Sequence, residues 1–336
     1  MSIDLAPDPA SEPPVGAGRR RRVPLTVVCW LFVAPGLGWA AIRLGGLERG
    51  PLVQLLAFTP YLAAWTVVPL GLALAVRRWW AAGAAALAAV ILVGLVAPRA
   101  LSDEPPVAGG PILRVLTANL LAGAAEPTAL VELVRAQRVD LLAMQEFTPD
   151  AEAALDQSGL AGLLPYRQVN PEPGTTGSAL YSRLPLRDVG TRRNTGGFSQ
   201  AYGTVQPDAG PAVLVESVHP MAPATLSRLP AWHDDLRAQP SATPRGPLRI
   251  LAGDFNATLD HAALRRLLDT GYSDAAASVG AGLTGTWGPY DGDRIPPVTI
   301  DHVLVDRRIA VRRVAVFPLP GSDHRPVLAE VALPSP

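Results

Sequence analysis

Three apolar stretches, at 23–42, 51–76 and 79–97, carry no Asp, Glu or Arg within them. A helix rises about 1.5 Å per residue, so about 20 residues cross a hydrocarbon core of about 30 Å. Each stretch is long enough. Each is apolar on all faces, which argues against a buried helix of a soluble domain. The first also resembles a signal peptide, with a basic segment ahead of an apolar run. Its length and the two runs that follow favour a span. Pro35, Pro60 and Pro69 are tolerable in membrane helices, and tryptophans such as Trp39, Trp79 and Trp80 suit interfacial anchoring.

Arginine placement gives an orientation. Arg19 to Arg22 precede the first stretch, and Arg77 and Arg78 separate the second from the third. The intervening loop has only Arg43 and Arg49, with Glu48. This bias places the N-terminus in the cytoplasm and, after an odd number of spans, everything past residue 98 outside. The expected organisation is a disordered cytoplasmic tail at 1–22, a three-helix transmembrane region at 23–98 and a Pro/Gly-rich linker at 99–111. A domain at 112–334 follows. The tail's polar, Pro-rich part is 1–18. The single cysteine, Cys29, lies in a span and is read as packing; it excludes an intramolecular disulfide framework and a multi-cysteine zinc site.

From Ile112 strands and helices alternate. Strands are expected at 112–118, 139–145, 178–182, 202–205, 212–219, 248–253, 298–305, 311–317 and 326–333. Helices are expected at 127–138, 150–158, 225–238 and 260–269. The pattern fits a layered two-sheet α/β sandwich.

Several strands run into a polar residue able to do chemistry: Asn119, Glu146, His219, Asp254 with Asn256, Asp301 with His302, and Asp323 with His324. Rigid elements hand residues to loops at such points, so active sites collect there. Asn119, Glu146 and Asp323 are hard oxygen donors that suit Mg²⁺ or Mn²⁺. His324 could touch a reacting phosphate while Asp301 fixes its tautomer. Asp254 could orient or deprotonate an attacking water. Asn256 and His219 could donate hydrogen bonds to a phosphoryl oxygen.

The ordered set Thr117-Ala-Asn119, Gln145-Glu146, Ser182-Arg183-Leu-Pro185, Val218-His219, Gly253-Asp254-Phe255-Asn256, Ile300-Asp301-His302 and Ser322-Asp323-His324-Arg325-Pro326 resembles the endonuclease/exonuclease/phosphatase superfamily, the DNase I-like fold. The resemblance covers about 112–334. It implies a pair of sheets flanked by helices and Mg²⁺-dependent cleavage of a phosphoester. By position it makes Glu146 the principal metal ligand, assisted by Asn119 and Asp323. His324 is the catalytic histidine oriented by Asp301, Asp254 activates water, and Asn256 and His219 hold the phosphate. Some nucleases of the family carry an acid two residues after the first Asn; here that position is Leu121.

Simpler roles stand beside these. Gly-Asp-Phe-Asn alone could be a turn, with Gly allowing positive φ. His302 is as readily a structural hydrogen-bonder as a catalyst. Arg183 and Arg325 are read as bracing loops or carboxylates. His233, His261 and the arginine pairs at 192–193, 265–266, 307–308 and 312–313 are read as solvated.

The formal net charge of the chain is zero. Residues 107–336 hold 20 Arg and 23 Asp+Glu, a balance of −3. A duplex-DNA enzyme usually carries a basic patch, so this balance disfavours one. A phosphodiesterase tethered outside by a short linker meets lipid head groups at high effective concentration. The expected function is a membrane-anchored phosphoester hydrolase acting on a lipid-linked phosphate or phospholipid head group, with the lipid bilayer as its partner. No protein partner is legible. The order of spans then catalytic domain also resembles the VanJ-type membrane proteins linked to teicoplanin resistance, which implies a polyprenyl pyrophosphate substrate. The alternatives are a cell-surface nuclease on DNA or RNA, and a catalytically inactive binding module. The complete set of polar residues argues against the last.

Overall fold

A computed structural model describes residues 19–288 and 295–335. The polar segment 1–18 lies outside the described residues. Helix α1 (Arg19–Gly45) already contains the arginine run 19–22, so those residues continue the first helix rather than the tail.

The N-terminal part has α1, α2 (Leu52–Leu56), α3 (Thr59–Trp65), α4 (Val67–Ala75) and α5 (Trp79–Val96). Two helical stretches, Leu25–Gly45 and Trp79–Ala100, are long and apolar enough to cross a membrane. The second stretch, 51–76, gives a shorter helix than expected. Its apolar helix runs only from Thr59 to Ala75, about 25 Å at 1.5 Å per residue. Pro60 is the cause: its ring would clash with the carbonyl of Leu56 and it has no N–H to donate. The Leu56 carbonyl instead accepts from Thr59 Oγ1 at 2.7 Å, and α2 stands apart as its own short helix.

Small residues let these helices pack closely. Cys29 and Val33 meet Ala73, Ala81 and Ala85 in one layer, and Ala40 meets Ala63, Leu92 and Val96 in the next. The layering sets α1 and α5 parallel, with α3–α4 running the other way.

The rest of the described chain is a two-layer sandwich. It runs β1 (Ile112–Asn119), α6 (Pro127–Ala136), β2 (Leu141–Gln145), α7 (Pro149–Gln157), α8 (Leu160–Leu163), β3 (Tyr166–Asn170) and β4 (Ser178–Ser182). Next come β5 (Leu186–Arg193), β6 (Ser199–Val205), β7 (Val213–Val218), α9 (Leu229–Arg237), β8 (Leu248–Asp254) and α10 (Ala262–Asp269). It closes with β9 (Tyr272–Asp274), α11 (Ala275–Ser278), β10 (Asp301–Asp306), β11 (Ala310–Val316) and β12 (Val327–Ala332). One six-stranded sheet has the order β11-β12-β1-β2-β4-β3, and the other β5-β6-β7-β8-β10-β9.

Both faces of the central strands are covered, which is why they read as near-continuous apolar runs. Leu113, Val115, Leu141 and Ala143 face the other sheet, where Val215, Ile250 and Val303 meet them. Leu116, Ala118, Leu142 and Met144 pack under α6 and α7 against Val131, Val134 and Leu155. Leu251 lies on the far side, beneath Trp232 of α9 and Leu264 of α10.

The register decides where polar residues gather. β1 and β2 are parallel, with Asn119 beside Gln145; β7 and β8 are parallel, with Val218 beside Gly253. Antiparallel β10 sets Asp301 against Asp254. Antiparallel β12 pairs Val327 with Thr117, so the residues just before it return to the same edge. Gly253 is needed for this closeness and not for a turn. A Cβ there would lie 1.9 Å from the Val218 carbonyl oxygen.

Segment 99–111 is not a free tether. Arg99 is buried, Ser102 bridges to Val279, and Gly110 N–H donates to the Leu333 carbonyl at 2.9 Å. The strand expected from Val298 begins at Asp301, and β3, β5 and β9 are additional. His261 is buried rather than solvated. Several of the paired arginines are also engaged: Arg192 with Glu216, Arg308 with Asp306, and Arg265 with the Asp260 carbonyl.

Candidate active site

Asp254, the last residue of β8, is the hub. It is buried, and its Oδ2 accepts from Asn119 Nδ2 at 3.1 Å. The same oxygen lies 3.6 Å from His219 Nε2 and 3.7 Å from His324 Nε2. Its Oδ1 accepts from the Asn256 backbone N–H at 2.8 Å, an Asx-type turn that places Asn256 at φ +48°. Asn256 Nδ2 donates to the Pro220 carbonyl at 3.1 Å and lies 3.4 Å from Asp254 Oδ2. Burial raises the pKa of Asp254, the nearby His324 cation opposes the rise, and Asp301 adds to it.

His324 Nδ1 sits between the two oxygens of Asp301, at 2.9 and 3.0 Å. Burial lowers its pKa, but the carboxylates of Asp301 and Asp254 outweigh burial and push it up to about 10. His219 goes the other way. Burial and the His324 charge lower it to about 3, so it is neutral. Its Nδ1 is buried without a partner, and its ring packs edge-on to Phe198 at 4.6 Å.

Glu146 follows β2 directly and adopts φ +56°. A non-glycine residue there costs about 1–2 kcal/mol, a cost that functional sites often carry. The turn of Leu121 and Ala122, both at positive φ, brings the Ala122 N–H to Glu146 Oε2 at 2.6 Å. Burial raises the pKa of Glu146; the Ala122 and Asn119 hydrogen bonds lower it, and the Asp323 charge raises it. Asp323 accepts from Trp287 Nε1 at 2.9 Å through Oδ2, while its buried Oδ1 has no hydrogen-bond partner.

The donors thus fit a hard divalent ion at Glu146 and Asp323: two carboxylates share the cleft, and one buried oxygen is unpartnered. Asn119 fits less directly than expected. Its Oδ1 accepts from Leu121 N–H at 3.0 Å, and its Nδ2 donates to Glu146 and Asp254. Asn119 therefore joins the two carboxylates. Asp254, Asp301 and His324 also bring one ligand atom each within 4.8 Å of one another, a grouping able to hold a metal. Within it, His324 is engaged with Asp301 as an ion pair.

All the sequence-selected residues except His302 meet at this edge. His302 points away, its Nδ1 2.8 Å from Asp274 Oδ2 and its Nε2 2.9 Å from the Ala257 carbonyl. The Ala257 carbonyl and the Asp274 carboxylate both accept, so both ring nitrogens can donate, and the Asp274 charge raises the ring's pKa. The ring braces the Asp254 loop from behind. Arg183 similarly spans Asp140 and the Val139 carbonyl.

Two residues escape a motif-based search. Trp287 orients Asp323, and Thr286 Oγ1 accepts from the N–H groups of Ile300 and Asp301 at 3.1 and 3.0 Å. Their only sequence signal is a polar and aromatic pair in an otherwise Gly/Thr-rich loop. Behind the site, Thr117, Gln145 and Ser217 form a buried hydrogen-bonded ladder between the sheets.

Residues 116–324 match the model of the Endonuclease/Exonuclease/phosphatase family. A solved family structure from Beutenbergia cavernae is similar, at 17% identity over 66% of this chain and 72% of that one, with a TM-score of 0.56. The mannosyl-6-phosphatase of Bacteroides thetaiotaomicron gives 18%, 66%, 100% and 0.52. A humanized D. rerio TDP2 gives 14%, 66%, 98% and 0.54. At these identities the likeness is one of fold. A comparison with curated proteins finds no match. The family model spans more than half of the chain and ends on the site histidine, so this chain belongs to the endonuclease/exonuclease/phosphatase family.

Proposed function

We propose that this protein is a membrane-anchored, Mg²⁺-dependent phosphoester hydrolase that works outside the membrane on a lipid-linked phosphate or phospholipid head group. Family membership supports phosphoester hydrolysis in general. The observation that carries the finer reading is the setting of the site. Its cleft, about 590 Å³, is lined by Glu146, Asp254 and His324 together with apolar residues including Leu121, Phe198 and Ile300.

In this reading Asp254 Oδ2 takes a proton from water as the water oxygen bonds to phosphorus and the ester P–O bond breaks; the leaving oxygen keeps the bonding pair and takes a proton from solvent. His324, kept cationic by Asp301, donates from Nε2 to a phosphoryl oxygen as charge builds there, and His219 and Asn256 lie beside that position. Asp301 and Asn119 position these groups. Glu146 and Asp323 would hold Mg²⁺, which when bound supplies positive charge for the phosphoryl oxygens.

Several features support the anchor. Leu31, Leu87 and Val90 on the two long apolar helices are exposed, unlike the core of a soluble domain. Trp79 and Trp80 are exposed beside Arg77 and Arg78, a pattern suited to a membrane interface. Arg43 and Arg99 are consumed in ion pairs to Asp260, whereas the opposite end holds Arg19 to Arg22, Arg77 and Arg78. That asymmetry supports an N-terminus in the cytoplasm and a catalytic domain outside.

The test is phosphate release by the full-length protein from a polyprenyl pyrophosphate and a phospholipid, beside nicking of plasmid DNA. Each is run with Mg²⁺, with EDTA and with His324→Ala. Metal-dependent release lost in the variant, with intact plasmid, is the expected result. Nicking without lipid hydrolysis would make the protein an anchored nuclease.

A further inference from the structure

The catalytic cleft is not closed by the sandwich alone. One of its walls comes from α2 and the turn after it: Val53, Gln54, Ala57 and Phe58 line the same cavity as Glu146, Asp254 and His324. These wall residues lie about 60 or more positions from the nearest catalytic residue in sequence. No family motif reaches them, since the family match begins at residue 116.

The wall is built in rather than leaning by chance. The α2 carbonyl of Val53 accepts from His261 Nε2 at 2.7 Å, and Gln54 Nε2 donates to the Pro223 carbonyl at 2.6 Å. Val53 is fully buried in the core cluster formed by Val218, Trp232 and Phe255 of the sandwich. On either side, Glu48 Oε2 caps the Ala262 N–H at 2.7 Å, and Tyr61 Oη donates to the Pro297 carbonyl at 2.7 Å. Arg43 and Arg99 then close on the buried carboxylate of Asp260.

The chemistry of the two sides differs. The floor carries carboxylates and histidines, whereas the α2 side offers Ala57 and Phe58, both half-buried, and continues into apolar helices. A ligand spanning both has a phosphate at one end and hydrocarbon at the other. We propose that α2 and its following turn are a specificity-determining wall that takes the apolar chain next to the scissile phosphate. The N-terminal helices therefore select the substrate as well as carry the domain. This inference rests on the phosphoester-hydrolase reading above for the identity of the polar end.

The test uses the full-length protein in nanodiscs and two non-hydrolysable probes, butylphosphonate and octylphosphonate, measured by calorimetry with Mg²⁺. A buried methylene is worth roughly fourfold in affinity, so wild type should bind the octyl probe at least about tenfold more tightly. Ala57→Phe, which fills the wall, and Phe58→Ser, which makes it polar, should collapse that ratio toward one. Leu87→Ala, on an exposed face of α5, should keep it. A wild-type ratio near one, or a ratio that survives both wall substitutions, overturns the wall.

A parallel assay with p-nitrophenyl butyl and octyl phosphates separates the two claims. Metal-dependent p-nitrophenol release that His324→Ala abolishes, without any chain-length preference, sinks the wall and leaves the hydrolase standing. No release from any ester sinks the hydrolase reading, and the phosphonate ratio still decides the wall.

Discussion

His324 and Asp301 form a bifurcated pair, with Nδ1 2.9 and 3.0 Å from the two carboxylate oxygens, and this leaves Nε2 facing Asp254 across 3.7 Å. The pairing leaves Nε2 as the nitrogen turned toward the cleft and, with Asp254, favours the ring's charged form. Asp301→Asn keeps the shape but removes the charge. Its kcat should fall roughly 10²–10⁴-fold, the usual span for losing a positioned acid or its orienting carboxylate. Tm should fall as well, because the buried His324 loses its partner, so kcat is compared below the variant's unfolding range. A kcat within threefold of wild type would remove Asp301 from the mechanism.

Metal dependence has a readout separate from activity. A ligand that binds only the folded state stabilises it by RT ln(1 + [L]/Kd), about 2.7 kcal/mol at a hundredfold excess over Kd. Mg²⁺ should therefore raise the Tm of wild type, and Glu146→Gln should abolish the rise. Trp287→Phe removes the N–H that orients Asp323. Such supporting groups are typically worth 10–100-fold in metal affinity, so its Mg²⁺ midpoint should shift by that factor. An unchanged midpoint would reduce Trp287 to packing.

The buried pair His302–Asp274 gives a stability signature. Burial lowers the pKa of His302, but the Asp274 charge and hydrogen bonds raise it overall above 6.5. A raised folded pKa stabilises fully below the unfolded value and loses that contribution as pH rises through the folded one. Asp274→Asn can still cap the Ala277 N–H, so it isolates the charge. The urea-midpoint gap between wild type and variant should be wider near pH 6 than near pH 9. A gap that widens at alkaline pH would mean His302 is neutral.

The sandwich and its polar edge were legible because each central strand at that edge ends on, or just before, a polar residue. Asn119 closes β1, Glu146 follows β2, His219 follows β7 and Asp254 closes β8, so a one-dimensional pattern carried a three-dimensional cluster. Parallel pairing then brings the ends together, which spacing alone does not state. Trp287 and Thr286 were illegible because they work from a loop, through one side-chain hydrogen bond and two respectively. The middle apolar stretch forms a shorter helix than its hydropathy suggests, because hydropathy is blind to Pro60, which splits it. The solvated reading of His261 failed because its partners, the Val53 carbonyl and the Thr258 N–H, come one from a distant segment and one from a tight turn. The docking of the N-terminal helices on the sandwich left one sequence trace, the two arginines Arg43 and Arg99 at the ends of apolar runs.

That docking centres on Asp260, whose carboxylate is fully enclosed and meets Arg43 at 2.8 Å and Arg99 at 2.6 and 2.7 Å. Taking one partner out of a buried ion pair leaves uncompensated charge and costs about 3–5 kcal/mol. Asp260→Asn leaves two guanidiniums buried against a neutral amide. For a domain of this size about 1 kcal/mol shifts Tm by roughly 2–4 °C, so a loss on the order of 10 °C is expected. Asp234→Asn breaks an exposed pair with Arg237 on α9 and should cost under about 1 kcal/mol. Differential scanning fluorimetry on the three proteins compares them directly. Equal shifts for the two variants would show that water reaches Asp260, and the helices would then be held to the sandwich by apolar packing through Val53 instead.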